Sequence, residues 1–470
     1  MDALASLQIE IHQLREQLAQ RDRLIDQLQQ ANRELRKRLD EAERAAKRQA
    51  APFSKGPPKP KPKKPGRKKG DKHGKHGHRP PPSPTEVDEV LDAPLPDDCP
   101  ACGGHVVEDR DQLDQQFQTE IPRKPIVRQF NIHCGHCTKC GKHLRGRHPL
   151  QTSDATGAAQ SQLGADAQAA VVYLNKRAGM SHGKIADTFD KFFGIKISRG
   201  ACAQIVMRAG RKLQPIYEQI KEHLKSSEHI TPDETGWRIG GHPAWLHGWV
   251  GDHGVTCYVI DPQRGADVLA KVIGWDWSGD MTHDGCPSYD RFVDAGHQQC
   301  VDHAGRRARA LADKQTGAAK RFPNQVSDLF AGALEARDQY LDGQLDEAGL
   351  AQAHQHYVSA LLDLTESRRT NELNEIFAKH LCHHGEQWFQ FLLDPTIPAT
   401  NHRAEQALKT PIVNRKVWGG NRTDAGGDAQ AVTSSVLETC KNKAIDAFGY
   451  ISNAFRGIFG DLFVTSDSGR

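Results

Sequence analysis

Apolar and polar positions change their rhythm several times along the chain. Between residues 4 and 42, Leu4, Leu7, Ile11, Leu14, Leu18, Ile25, Leu28, Leu35, Leu39 and Ala42 recur at alternating steps of three and four. That spacing predicts a helix with a heptad seam, broken by Arg21 at a d site and Asn32 at an a site. A buried Asn at a is best satisfied by its own copy, so the reading is a parallel homodimeric coiled coil, about 58 Å long at about 1.5 Å per residue. Antiparallel pairing, or a helix packed on its own chain, would use the same seam. Across 160–226 the apolar period becomes helical, with Ser181 and Ser198 as N-caps and Gly179 and Gly194 as stops. Two short helices around the IKIS turn, the second led by Arg199, would form a helix-turn-helix; three helices supporting a neighbouring core fit the pattern as well.

From His229 to Arg307 the pattern shifts to short apolar runs broken by Gly, Pro and Asp, as in a β-meander with strands of about four to eight residues. Trp237, Trp245 and Trp249 fall on these strands as core or sheet-face residues, GADVLAKVIG reads as a helix, and WDWSGDMTHDG brings a fourth strand to Asp284. Helical spacing returns over 308–397, in VSDLFAGAL, AHQHYVSALLDL, NELNEIFAKHL and EQWFQFLLD. After Pro398, TNHRAEQALK begins a polar helix, followed by a next strand or loop carrying Arg415 and Lys416. GGNRTDAGGDAQA reads as a glycine-rich loop without the lysine and serine order of a nucleotide-binding P-loop. Two last helices, SSVLETCKNK and DAFGYISNAFRGIF, should pack back on the core.

Charge and cysteine usage add partners. Residues 51–82 hold nine Lys and two Arg against Asp71 alone, a net +10 in a chain of net +4, so the remainder sums to −6. Nine prolines in the same stretch oppose helix, which predicts an extended, disordered strap suited to counterion release on a phosphate backbone; a solvated linker is the plain alternative. The acidic run SPTEVDEVLDAPLPDD that follows could compete with DNA for it. No apolar run approaches the roughly 18 residues of a membrane span, and the charged opening lacks a signal-peptide core, so a cytoplasmic chain is expected. Its eleven cysteines are then thiols or metal ligands. Cys99 and Cys102 form a C-x-x-C-G knuckle that Cys137 and Cys140 repeat, the spacing of tetrahedral structural Zn2+; Cys134 is the alternative partner of Cys137.

Carboxylates held at strand ends grip hard divalent cations, which selects Asp233 and Asp284 as candidates and Glu405, from the helix after Pro398, as a third. Two cations about 3.5–4 Å apart could then clamp the attacking and leaving oxygens of a phosphodiester. Asp280 rivals Asp284, and Cys300 with His303 makes a C-x-x-H spacing too sparse for zinc. Asn401 lies one turn before Glu405 and Lys409 one turn after, so these two, with Arg415 and Lys416, are candidate metal-facing or phosphate-binding groups, with plain surface roles open for the cations.

DETGW at 233–237, DGCPSYDRF at 284–292, HQQCVDHAGRR at 297–307 and NHRAEQAL followed by NRKVWGGNRTDAGG resemble, in order, the catalytic blocks of the insertion-sequence family sixty-six transposases. The resemblance implies a DDE transposase with a ribonuclease-H-like core, with Asp233, Asp284 and Glu405 as its Mg2+ (or Mn2+) triad. His303, Arg306 and Arg307 resemble a DDE motif that steers the scissile phosphate, although Val301 stands where an aromatic residue is expected. The resemblance also implies a zinc module, DNA as partner, and a bacterial, nucleoid-associated setting. The expected fold class is a multidomain α/β chain: coiled coil (1–50), basic then acidic linker (51–98), zinc knuckle module (99–150), helical DNA-binding region (160–226), and a ribonuclease-H-like catalytic core (227–307, 398–470) interrupted by a helical insertion (308–397).

Overall fold

A computed structural model describes residues 82–91, 94–106, 125–152 and 162–463, with nine positions between 20 and 35 and residues 115 and 117. The heptad seam and the basic strap lie mostly outside the described residues. The nine described positions of the seam region are helical, and Ile25, Leu28 and Leu35 are exposed in the single chain. Two compact units divide the chain: residues 1–54, 128–191 and 195–470 form one, and residues 55–127 and 192–194 the other.

In the smaller unit the turn at Cys99 is closed by Gly103 N–H donating to Cys99 O (2.8 Å) and Cys99 N–H to Gly104 O (2.8 Å). The larger unit repeats that turn at Cys137, where Gly141 N–H donates to Cys137 O (2.8 Å) and Cys137 N–H to Lys142 O (2.9 Å), between β1 (Cys134–His136) and β2 (His143–Arg145). Gly103 and Gly141 both take positive φ, 72° and 70°, which a side chain would resist.

The larger unit continues with α1 (Ala165–Lys176), α2 (His182–Phe193) and α3 (Arg199–Lys225). Gly179 and Gly194 do take positive φ at the turns, and Ser198 caps α3 by accepting from Ala201 N–H (3.0 Å). The second helix at the IKIS turn is not short. It runs for 27 residues and buries Cys202, Ile205, Ala209, Leu213, Ile220 and Leu224 along one face, so its periodicity is that of a core helix.

A five-stranded mixed sheet follows, in the order β5-β4-β3-β6-β7. β3 (His229–Ile239), β4 (His242–Val250) and β5 (Thr256–Asp261) are antiparallel neighbours. After α4 (Asp267–Ile273), β6 (Asp280–His283) and β7 (Gly296–Gln299) add in parallel beyond β3. The meander therefore covers only the first three strands, and β3 and β4 are longer than expected, at 11 and 9 residues. Gly248 reads as a break in sequence but sits inside β4, where a Cβ would come within 2.9 Å of Leu408.

Helices α5 (Val301–Lys314), α6 (Arg321–Leu341), α7 (Glu347–Glu366), α8 (Glu372–His384) and the short α9 (Gln390–Leu393) come next, with a core of their own around Phe330, Phe377, Trp388 and Phe389. Then α10 (His402–Trp418) crosses β3 and β4, packing Ala404, Ala407 and Leu408 against Trp237, Ala244 and Leu246. Arg415 and Lys416 thus belong to α10 and not to a strand or loop. The glycine-rich stretch is a loop only to Thr423, which caps α11 (Asp424–Asn442) by accepting from Gly426 N–H (3.1 Å). The helix needs its small residues because it crosses α3 closely: a Cβ on Gly210 would lie 2.8 Å from Ala429 Cα. Ser435 and Thr439 of α11 accept the outward N–H groups of Tyr258 (2.8 Å) and Thr256 (3.0 Å), closing the free edge of β5. α12 (Ala447–Arg456) packs on α1. Among the described residues no helix is long and apolar enough to cross a membrane.

Candidate active site

Strand pairing brings the two aspartates to one level. β3 and β6 run parallel with His229 opposite Asp280 and Ile230 opposite Met281. Three residues further on each chain stand Asp233 and Asp284, on neighbouring lines about 4.8 Å apart where the ladder holds. Asp280 is at the other end of β6, level with His229, whose Nε2 lies 3.8 Å from its carboxylate. Side chains alternate along a strand, so Asp233 shares the face of Trp237, the face that α10 covers. Glu405 lies in the first turn of α10, immediately after the buried Ala404.

The electrostatics tie the three acids together. Burial, and then the carboxylates of Glu234, Asp284 and Glu405, push the Asp233 pKa up from 3.8 to about 7, although Glu234 N–H donates to its Oδ1 at 2.8 Å. Asp284 Oδ1 accepts from Cys286 N–H at 3.1 Å. Glu405 has a cationic neighbour: Arg306 Nη2 is 2.7 Å from its Oε1, and His303 Nε2 is 3.5 Å from the same oxygen and 3.0 Å from Arg306. The donor atoms of the three acids do not all lie within 4.8 Å of one another, and Glu405 is held by Arg306.

The other sequence candidates are spread around this centre. Asn401 caps α10, is 1 % exposed, and takes the Cys300 thiol as acceptor for its backbone N–H at 3.4 Å. Its side-chain Nδ2 is buried without an acceptor, an orphaned donor near the acids. Cys300 is a buried N-cap of α5. Arg307 stacks on Phe377, 4.7 Å from the ring centroid, and burial lowers its pKa. Arg415 donates to Gly236 O and to Thr235 Oγ1 (3.3 Å), so it binds α10 to β3, while Lys409 and Lys416 are exposed.

The coordinates add residues that the sequence gave little reason to notice. Glu234 follows Asp233 but faces the other side of the sheet, where it meets Tyr289 and Arg264. His283, Asp290 and His297 are the one described group of three metal-ligand side chains with donor atoms within 4.8 Å of one another. The two histidines are hydrogen-bonded within the fold, whereas Asp290 Oδ1 is buried without a partner. Gly285 N–H donates to His283 Nδ1 (3.2 Å), which leaves the proton on Nε2 to reach His297 Nδ1 (3.1 Å), and His297 Nε2–H donates to Phe292 O (3.0 Å). Burial, helped by neighbouring imidazoles, lowers the His283 pKa to about 3, so this imidazole stays neutral and accepts from Gly285 N–H at the end of β6. In each C-x-x-C-G knuckle, backbone N–H groups hold the first thiol, Cys99 or Cys137, below its usual pKa.

Residues 160–429, more than half of the chain, match the profile of a family described as "Transposase IS66 family". Two uncharacterized proteins of Sinorhizobium fredii (strain NBRC 101917 / NGR234) are similar. One, y4hP, is 24% identical over 418 residues, covering 81% of this chain and 74% of its own length. The other, y4qI, is 24% identical over 298 residues, covering 56% of this chain and 54% of its own.

Proposed function

Because the chain belongs to the Transposase IS66 family and is therefore a transposase, an enzyme of the polynucleotidyl-transferase type acting on DNA, we propose that it binds the ends of its own insertion sequence and performs both strand cleavage and strand transfer at Asp233, Asp284 and Glu405. One observation carries the reading: Asp233 is half-buried, desolvation and then the carboxylates of Glu234, Asp284 and Glu405 raise its pKa to about 7, and among the described residues it has no ion-pair partner. The crowded oxygen donors of Asp233, Asp284 and Glu405, of which Glu405 alone has an Arg partner among the described residues, are the set a hard divalent ion takes. Mg2+ or Mn2+ held there would supply a water of lowered pKa and the positive charge that an in-line displacement at phosphorus needs.

The chain's own groups have definite tasks in this account. Arg306 and His303 hold Glu405 in the free protein and would be released to meet the scissile phosphate if Glu405 became a ligand. The Asn401 amide, 1 % exposed, keeps its free donor buried at the start of α10 and would meet a phosphate only if that end of the helix opened. Lys409 and Lys416, exposed on α10, meet the DNA backbone further out, and Arg307 and Arg415 position their helices. The strand order, antiparallel then parallel about β3, supports a ribonuclease-H-like core, with α6 to α9 as the insertion before the third acid. The repeated C-x-x-C-G spacing of Cys99 and Cys102 and of Cys137 and Cys140 supports structural Zn2+, with Cys134 as the alternative partner of Cys137, and the heptad seam supports a homodimer through residues 4–42.

The test is an assay of the full-length protein on duplex carrying the ends of its element, with Mg2+ and a target plasmid. Cleavage at the terminus followed by joined product is expected. Cleavage without joining would make the protein a nuclease, and specific binding without cleavage a DNA-binding dimer.

A further inference from the structure

The segment that carries Asp284 has lost its backbone tie to the strand that carries Asp233. Paired positions between β3 and β6 stop at Ile230 and Met281, β6 itself ends at His283, and Gly285 turns the chain away at φ 84°. Something other than the ladder has to hold the second acid at a fixed distance from the first. Glu234, the residue after Asp233, reaches that segment from the opposite face of the sheet. Tyr289 Oη donates to Glu234 Oε2 at 2.9 Å, and Arg264 Nε donates to Oε1 at 2.8 Å, so both oxygens of one carboxylate are used.

The setting suits a rigid tie. The Glu234 side chain is 3 % exposed, Tyr289 is buried, and Arg264 lies over the Trp245 ring, 4.7 Å from its centroid. A charge-assisted hydrogen bond in such surroundings is short and directional. Tyr289 is five residues after Asp284, in a single 3-10 turn (Tyr289–Arg291). Fixing its ring therefore fixes the loop between them.

Resting on the triad reading above, we propose that Glu234, Tyr289 and Arg264 form a clamp that sets the spacing of Asp284 from Asp233, so that these three are positioning residues for the divalent ion and touch neither ion nor DNA. Removing the tie should leave the ligands in place but let one of them wander. The cost then falls on ion affinity, of the kind seen when partners behind metal ligands are removed, at about tenfold or more.

The experiment is terminal-DNA cleavage by the full-length protein titrated with Mn2+, comparing wild type with Tyr289→Phe, Glu234→Gln and Asp233→Asn, with thermal melting of each. Tyr289→Phe keeps the buried ring and removes only the hydroxyl. The clamp predicts a half-saturating Mn2+ concentration about tenfold higher, with most of the rate recovered at saturating Mn2+. Glu234→Gln should give a smaller rise in the same direction. A lowered rate at every Mn2+ concentration with an unmoved midpoint, or a Tyr289→Phe titration that overlays wild type, would overturn the clamp while leaving the triad standing. Wild-type Mn2+ dependence in Asp233→Asn would remove the triad, and the clamp with it.

Discussion

Asp233→Asn is expected to destroy activity and to make the metal-free protein more stable. The activity loss follows from removing a ligand whose ion carries several kcal/mol of transition-state stabilisation, a fall of about a thousandfold or more in strand cleavage. The stability gain comes from the same crowding. Asp233 has its pKa raised by burial and by three neighbouring carboxylates, from 3.8 to about 7. A carboxyl with a raised pKa favours the folded state most when protonated. Its contribution is complete below about pH 4 and is lost as pH climbs through 7. The rise is equivalent to about 4 kcal/mol at about 1.36 kcal/mol per pH unit, an upper bound because Asp233 is not wholly removed from solvent. Melting of the wild type and Asp233→Asn without divalent ions should therefore diverge from pH 4 to pH 8, the variant gaining as pH rises. Parallel curves across that range would show that Asp233 is not under charge strain.

Trp237→Ala should produce the largest loss of stability from one side chain. Trp237 is fully buried four residues along β3 from Asp233, packs on α10, meets Trp418 edge-on at 6.1 Å, and donates its indole N–H to Asn421 Oδ1 at 2.8 Å. Truncation removes the largest filler between sheet and helix and orphans the Asn421 acceptor, a cost of about 3–5 kcal/mol. That corresponds to a melting temperature lower by on the order of 10 °C. The same packing sets Glu405 against the sheet, so cleavage should fall further than the folded fraction alone accounts for. Activity that tracks the folded fraction would mean that α10 keeps its place without Trp237.

The three candidate acids are selected by their blocks, DETGW, DGCPSYDRF and NHRAEQAL, which resemble a known family, whereas their spacing among 59 acidic residues selects nothing. Helix caps at Ser198 and stops at Gly179 and Gly194 were legible because each is a local backbone requirement. What the sequence hid depends on distant partners. Gly248 looks like a break until Leu408, 160 residues later, is seen to lie over it. Arg415 looks like a free cation until Gly236 O takes its guanidinium. β6 is four residues long, too short for periodicity to reveal that it pairs in parallel with β3. Glu234 was overshadowed by its neighbour, since alternation along β3 sends the two carboxylates to opposite faces, one toward α10 and one toward Tyr289.

The central claim is that residues 233, 284 and 405 share one divalent-ion pocket. Its most direct measurement is Mn2+ binding to the zinc-loaded full-length protein at pH 8, followed by electron paramagnetic resonance, for the wild type and for Asp233→Asn, Asp284→Asn and Glu405→Gln separately. Saturable Mn2+ binding to the wild type that is weakened by each of the three substitutions is the predicted result. Binding that survives unchanged in any one of them would contradict the shared pocket.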